Sequence, residues 1–161
     1  MKAVHVPAGA QRSGAVEMMF GLAPLHTKVS AADTAGRFLV CEVIGAGFGP
    51  PRHLHHEQDE WFLVTEGSFL IEVGGERFEA REGDSVLAPR NVPHAWAPTA
   101  GGRGRLVFAL QPAGQFEDFI RRASALGRLP TPGEASAMFE ACGMRITGPP
   151  LEVAETSFEG I

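Results

Sequence analysis

Between residues 37 and 110, apolar and polar positions alternate over short stretches that glycines and prolines interrupt at close intervals. Alternation with a period of two marks a half-buried strand, because successive side chains on a strand point to opposite faces. The run 37–44 reads as one strand, and the Gly- and Pro-rich run 45–51 ends it. Strands over 60–65 and 68–73 follow, separated by Glu66-Gly67. Gly74-Gly75 then joins 69–73 to 76–79. Two glycines between alternating runs predict a two-residue hairpin, whose turn needs positive φ at both positions. Ser85–Ala88 and 106–110 supply further strands, the latter after a loose loop over 99–104. Many short strands at this spacing predict a closed barrel or sandwich, which also removes exposed strand edges.

The period changes after Pro112, and helices are expected only from there on. Phe116, Phe119, Ile120, Ala123 and Leu126 recur at helical spacing, and Gly127 can close that helix. Glu117 and Asp118 fall in its first turn and Arg121 and Arg122 later, the order that suits the helix dipole. Thr131-Pro132-Gly133-Glu134 predicts a second helix, opened by a capping box with Pro at its first position. Its apolar stripe is Ala135, Met138, Phe139 and Cys142, and Gly143 ends it. Both stripes read as packing faces that cover an outer side of the barrel or a subunit interface. The chain divides into N-terminal strands or an arm over 1–36, packed on the barrel or on a partner, the barrel over 37–110, and helices with a tail over 111–161. All three belong to one structural domain.

Composition narrows the function. The 161 residues are 44% apolar and 20% charged, enough for a real core. A net charge of −5 with 14 scattered Lys and Arg argues against nucleic acid or an anionic membrane as partner. No apolar run approaches the roughly 20 residues that span a bilayer, and the start of the chain lacks the apolar region of a signal peptide. Cys41 and Cys142 have neither metal-like nor redox-like spacing. Cys41 reads as a small buried side chain within an apolar run. A cytoplasmic protein with free thiols is the expectation.

The chemistry concentrates in two places. In His53-Leu54-His55-His56-Glu57-Gln58-Asp59-Glu60, His53 and His55 share one face of a strand. A short turn over 56–59 lets Glu60 point inward from the next strand. The second place is Pro89-Arg90-Asn91-Val92-Pro93-His94, where a turn delivers one histidine to the start of a strand. Three imidazoles and a carboxylate form a borderline donor set suited to one divalent Fe, Mn, Ni, Co, Cu or Zn ion. His56 belongs to the turn, and His5 and His26 have no supporting context. If Glu60 faces inward, so do Phe62 and Val64, whereas Trp61 and Leu63 face outward. Trp96 shares the face of His94, and Phe48 covers the mouth of the resulting pocket.

These residues resemble the two motifs of the cupin superfamily. Gly47, His53, His55, Glu60 and Gly67 match every position of the first motif at allowed spacings. Gly83, Pro89 and His94 match the second, with Asn91 in place of a glycine and Pro98 in place of an asparagine. Asn tolerates the left-handed conformation better than most residues, which makes the first replacement mild. The stretches 49–56 and 59–67, and Pro112-Ala113-Gly114 leading into a Phe-rich helix, are similar to small single-domain cupins related to quercetin dioxygenase-like proteins. The resemblance implies an all-β double-stranded β-helix, the cupin jelly-roll barrel, with a short C-terminal helical extension. It further implies metal ligation by His53, His55, Glu60 and His94, and a homodimer.

Four protein ligands leave about two positions open on an octahedral ion, the mark of a catalytic rather than a structural site. One carboxylate offsets one charge, and the positive remainder favours an oxyanion such as an enolate, a catecholate or a carboxylate. In the dioxygenases that the chain resembles, the substrate binds the metal through such an oxygen. The resemblance therefore places first a metal-dependent dioxygenase on a small enolisable or phenolic compound, with Glu60 as ligand and catalytic base. A metal-dependent isomerase or lyase comes second. A non-catalytic small-molecule binding or sensing module comes third.

Overall fold

The computed structural model describes residues 2–45, 47–99, 101 and 103–153. Ala46 in the first breaker, Ala100 and Gly102 in the loose loop, and the tail 154–161 lie outside the described residues. Ten antiparallel strands are described: β1 (Glu17–Met19), β2 (Ala23–Val29), β3 (Leu39–Ile44), β4 (Pro51–His55), β5 (Asp59–Val73), β6 (Glu76–Arg81), β7 (Ser85–Ala88), β8 (His94–Pro98), β9 (Gly104–Gln111) and β10 (Met144–Pro150). Two helices, α1 (Phe116–Leu126) and α2 (Pro132–Ala141), lie between β9 and β10. One layer runs β1-β2-β3-β9-β5-β7 and the facing layer β6-β5-β8-β4-β10, so the curled sheet forms the jelly-roll barrel expected from the sequence.

β5 belongs to both layers. The sequence places a break at Glu66-Gly67; instead one strand runs through, with a register shift between Val64 and Glu66 against β9. The extra residue switches the inward parity. Glu60, Phe62 and Val64 face in before it, and Phe69 and Ile71 after it. Trp61 stays exposed on the outer side, as its alternate position requires. The inward side chains of β3, β5 and β9 fill the interior, where burial of each Phe, Leu or Ile contributes about 1.5–3 kcal/mol.

Gly74 and Gly75 form the β5–β6 hairpin turn with φ of 59° and 88°. Among the described residues no helix lies within 53–98. Before the barrel there is one 3-10 turn, Ala32–Thr34, which the periodicity did not predict. It is made by side chains: Asp33 accepts from the Ser30 amide and Thr34 donates to the Phe38 carbonyl. The capping box of α2 is present, with the Glu134 amide donating to Thr131 Oγ1 and the Thr131 amide to Glu134 Oε2.

Strand β10 has no counterpart in the sequence-based expectation, which gives a tail after Gly143. It pairs with β4 through two register shifts and contains Gly148, Pro149 and Pro150. Prolines hide a strand in the sequence, and an edge position is where a sheet tolerates them.

Candidate metal centre

β4 sends His53 and His55 to the same inner face, β5 begins with Asp59 and Glu60, and β8 begins with His94. The turns that deliver them are tied together. The Arg90 amide and guanidinium donate to the Asp59 carboxylate, at 2.9 and 2.8 Å, and the Asn91 amide donates to the His55 carbonyl at 2.8 Å. Asn91 adopts φ of 62°, the left-handed geometry expected for the residue replacing a glycine. His94 then stands opposite His53 in the β4–β8 pairing.

The four side chains form one buried group, with ligand atoms all within 4.8 Å of one another. Their exposures are 6% for His53, 1% for His55, 4% for Glu60 and 1% for His94, so water does not screen them. Glu60 Oε2 lies 2.8 Å from His94 Nε2 and 3.2 Å from His55 Nε2. His56 is half-buried on the turn and outside the group. His26 is buried on β2 beside Glu42.

The outer nitrogen of each histidine decides what the inner one can do. His53 Nδ1 faces the Pro51 carbonyl at 2.8 Å, His94 Nδ1 the Val92 carbonyl at 3.0 Å, and His55 Nδ1 the Gln58 Oε1 at 2.9 Å. An oxygen of this kind only accepts, so each Nδ1 carries the proton and donates it. In the neutral ring, Nε2 is then a lone pair, and three lone pairs converge beside an anionic carboxylate. Burial pushes the His53 imidazole down to about 3, helped by repulsion from His94 and His55, so it is neutral. Burial alone would raise the Glu60 carboxyl. The neighbouring His55 and His94 rings outweigh it and hold the group well below the carboxylate range. For His94 burial opposes the charge, but the hydrogen bond and charge of Glu60 prevail and raise it.

Such an arrangement calls for a cation. The His55 Nε2 is buried without a hydrogen-bond partner. Its 3.2 Å approach to Glu60 lacks the direction of a hydrogen bond, as expected when two lone-pair atoms face a third party. Two donors at about 2.1 Å from one ion and at right angles stand about 3 Å apart. The two Glu60 distances fit that spacing, and the donor set fits a divalent transition metal.

The inferred pocket residues divide. Phe62 is fully buried, with its ring 6.0 Å from that of His94. Val64 is buried in the core at the next inward position of β5. Half-buried Trp96 packs edge-on against Phe69, two positions beyond His94. Phe48 is 37% exposed, just before β4.

Three neighbours of the group were not legible as such. The helices do not simply cover an outer side. Phe139 of α2 packs edge-on against His53 with centroids 5.3 Å apart, and Phe116 of α1 lies 5.9 Å from His55. The helical period identified both as buried, but nothing in it says against what. The third is Gln58, read as part of a turn and in fact 4% exposed. Its burial depends on the carbonyls of Pro112 and Ala113, far along the chain.

Fold and site together define a small barrel with a buried three-histidine, one-glutamate centre. The Cupin domain family model matches residues 39–109. Protein SchB of Streptomyces halstedii is 30% identical over 107 residues, spanning 66% of this chain and 72% of that one. The chain belongs to the cupin family. Polyketide synthase CurC of Streptomyces cyaneus is 28% identical over 91 residues, 56% of this chain and 58% of its own length. The structure of the polyketide cyclase RemF from Streptomyces resistomycificus shares the fold at a TM-score of 0.53 and 23% identity, covering 69% of this chain and 79% of that one. Among the described residues no helix is long and apolar enough to cross a membrane.

Proposed function

We propose that this cupin is a metal-dependent enzyme acting on a small enolisable or phenolic compound, by enolate chemistry of the lyase or isomerase kind, such as ring closure of a polycarbonyl chain. The observation that carries this reading is the locking of all three histidines by oxygen acceptors, which leaves three Nε2 lone pairs converging on Glu60. His53, His55, Glu60 and His94 would hold the ion. When bound, a divalent ion with one carboxylate ligand supplies Lewis acidity for an oxyanionic substrate.

The acceptors behind the histidines are two backbone carbonyls and one amide, all neutral. A carboxylate there would raise the basicity of the imidazoles; neutral acceptors leave more of the ion's charge for the substrate. Glu60, ionised and beside the rings, takes up the proton from carbon next to a carbonyl. Phe62, Val64 and Trp96 would supply apolar walls that exclude water, with Phe48 at the mouth. The names of CurC and RemF support a polycarbonyl or aromatic polyketide as the substrate class. A dioxygenase on a flavonol or catechol is the second reading, supported by a donor set that suits redox-active iron as well as zinc.

The test is anaerobic incubation of metal-loaded protein with β-polycarbonyl compounds, flavonols and catechols, followed by mass spectrometry. A product isomeric with its substrate, or lighter by water, supports the proposal. Turnover only with oxygen, giving a product that carries both oxygen atoms, replaces it with the dioxygenase. Tight binding without turnover replaces both with a binding module.

A further inference from the structure

Resting on the metal-centre reading above, we infer that Gln58 is a positioning residue: it sets the tautomer and ring orientation of His55 and ties the metal centre to the segment that leads into α1. His53 and His94 are oriented by backbone carbonyls, Pro51 and Val92, each two residues away in its own strand or turn. His55 alone leans on a side chain, Gln58 Oε1 at 2.9 Å.

The orientation of that amide is imposed from elsewhere. Gln58 Nε2 donates to the Pro112 carbonyl at 3.1 Å and to the Ala113 carbonyl at 2.7 Å. Both partners only accept, so the amide NH2 must face them and Oε1 must face His55. Were the amide reversed, an N–H would face His55 Nδ1. The ring would then carry its proton on Nε2, the atom aimed at Glu60, and could not ligate. Two carbonyls at 112–113 thus fix the protonation pattern of a histidine at 55. Gly114 completes the clamp. A Cβ built there meets Gln58 Nε2 at 2.7 Å and Cδ at 2.9 Å, so an alanine would displace the amide from its two carbonyls. The Ala113 amide in turn donates to the Gly36 carbonyl at 3.0 Å, which anchors the segment to the loop that leads into β3.

Zinc affinity of the full chain, measured by competition with a chromophoric chelator, tests this, with the visible spectrum of the cobalt(II)-loaded protein as a second readout. Gln58→Leu keeps the volume and removes the acceptor. The expected loss is about 10- to 100-fold in affinity with an altered cobalt spectrum, the scale of removing an oriented partner behind a ligand. Gln58→Glu keeps an oxygen for His55 Nδ1 and should recover part of that loss. Gly114→Ala should also weaken zinc several-fold. Gly127→Ala, a control, carries the same backbone strain (φ of 63° against 56°) with nothing near its Cβ, and should not. Equal affinity and spectra in wild type and Gln58→Leu, with His94→Ala metal-free, would overturn the role of Gln58 alone. Equal effects of Gly114→Ala and Gly127→Ala would overturn the link to the 112–114 segment, and these two decide the case if Gln58→Leu does not fold. A wild-type chain that binds no zinc or cobalt would sink the metal centre and this inference together.

Discussion

His94 Nε2 lies 2.8 Å from Glu60 Oε2 while its other nitrogen, Nδ1, donates to the Val92 carbonyl. A neutral ring in that tautomer offers a lone pair to an anion, so the contact needs either a shared proton or a shared cation. His56, on the adjacent turn, faces no such demand, because its neighbour His55 already takes the inward position. His94→Ala is therefore expected to abolish stoichiometric metal in protein purified without a polyhistidine tag. His56→Ala should retain it. Elemental analysis of the two variants decides, and equal loss in both would mean the ligand set is misassigned.

Glu60 carries two roles that one substitution separates. Gln at this position keeps an oxygen that can bind a metal weakly but loses the charge and the basicity. Metal content in Glu60→Gln should partly survive, while turnover falls by roughly 10²-fold or more, the scale of a lost general base. Rate measured alongside metal content checks this. Full activity in the metal-loaded variant would place the base elsewhere.

Why the ligands were legible and their surroundings were not follows from how far each signal reaches along the chain. His53 and His55 share a face because a strand has period two, and that rule needs no knowledge of the rest of the fold. The same rule places Phe62 inside and Trp61 outside. It fails at Val64–Glu66, where one inserted residue shifts the parity of Phe69 and Ile71 without any local mark beyond Glu66-Gly67. Gln58 looks like a solvated turn residue until Pro112 and Ala113 arrive to accept its two N–H groups. β10 is masked by its own prolines, which only an edge position permits. Contacts made by distant segments leave no periodicity behind.

Phe139 connects α2 to the centre. It is 3% exposed, with its ring 4.9 Å from Phe119 and 5.3 Å from His53. Phe139→Ala should cost about 3–5 kcal/mol, the usual range for emptying a buried aromatic site. At about 2–4 °C per kcal/mol for a domain of this size, Tm should fall by roughly 10 °C. Phe139→Leu, which keeps most of the volume, should recover the larger part of the loss. Calorimetry on metal-free protein gives the stability effect. A Tm unchanged by Phe139→Ala would mean that α2 does not pack on the barrel in solution.

The N-terminus of α2 gives a pH prediction that is independent of the metal centre. The Arg128 guanidinium, and then the Thr131 amide, hold the Glu134 carboxyl at about 2, below its ordinary 4.5. A carboxyl depressed on folding contributes stability that is fully present above its unfolded value and is lost as pH falls through the folded one. Wild type should therefore be more stable than Glu134→Gln at neutral pH. The difference between them should shrink between about pH 4.5 and 2 and vanish below. Taking the difference between two proteins cancels the titration of the buried histidines and Glu60, which both share. Thr131→Ala removes the other half of the box and should cost about 0.5–2 kcal/mol at pH 7, with little dependence on acid. Denaturant unfolding of the three proteins from pH 7 to 2 is the measurement. A constant gap between wild type and Glu134→Gln down to pH 2 would show that the capping carboxylate does not contribute through its charge.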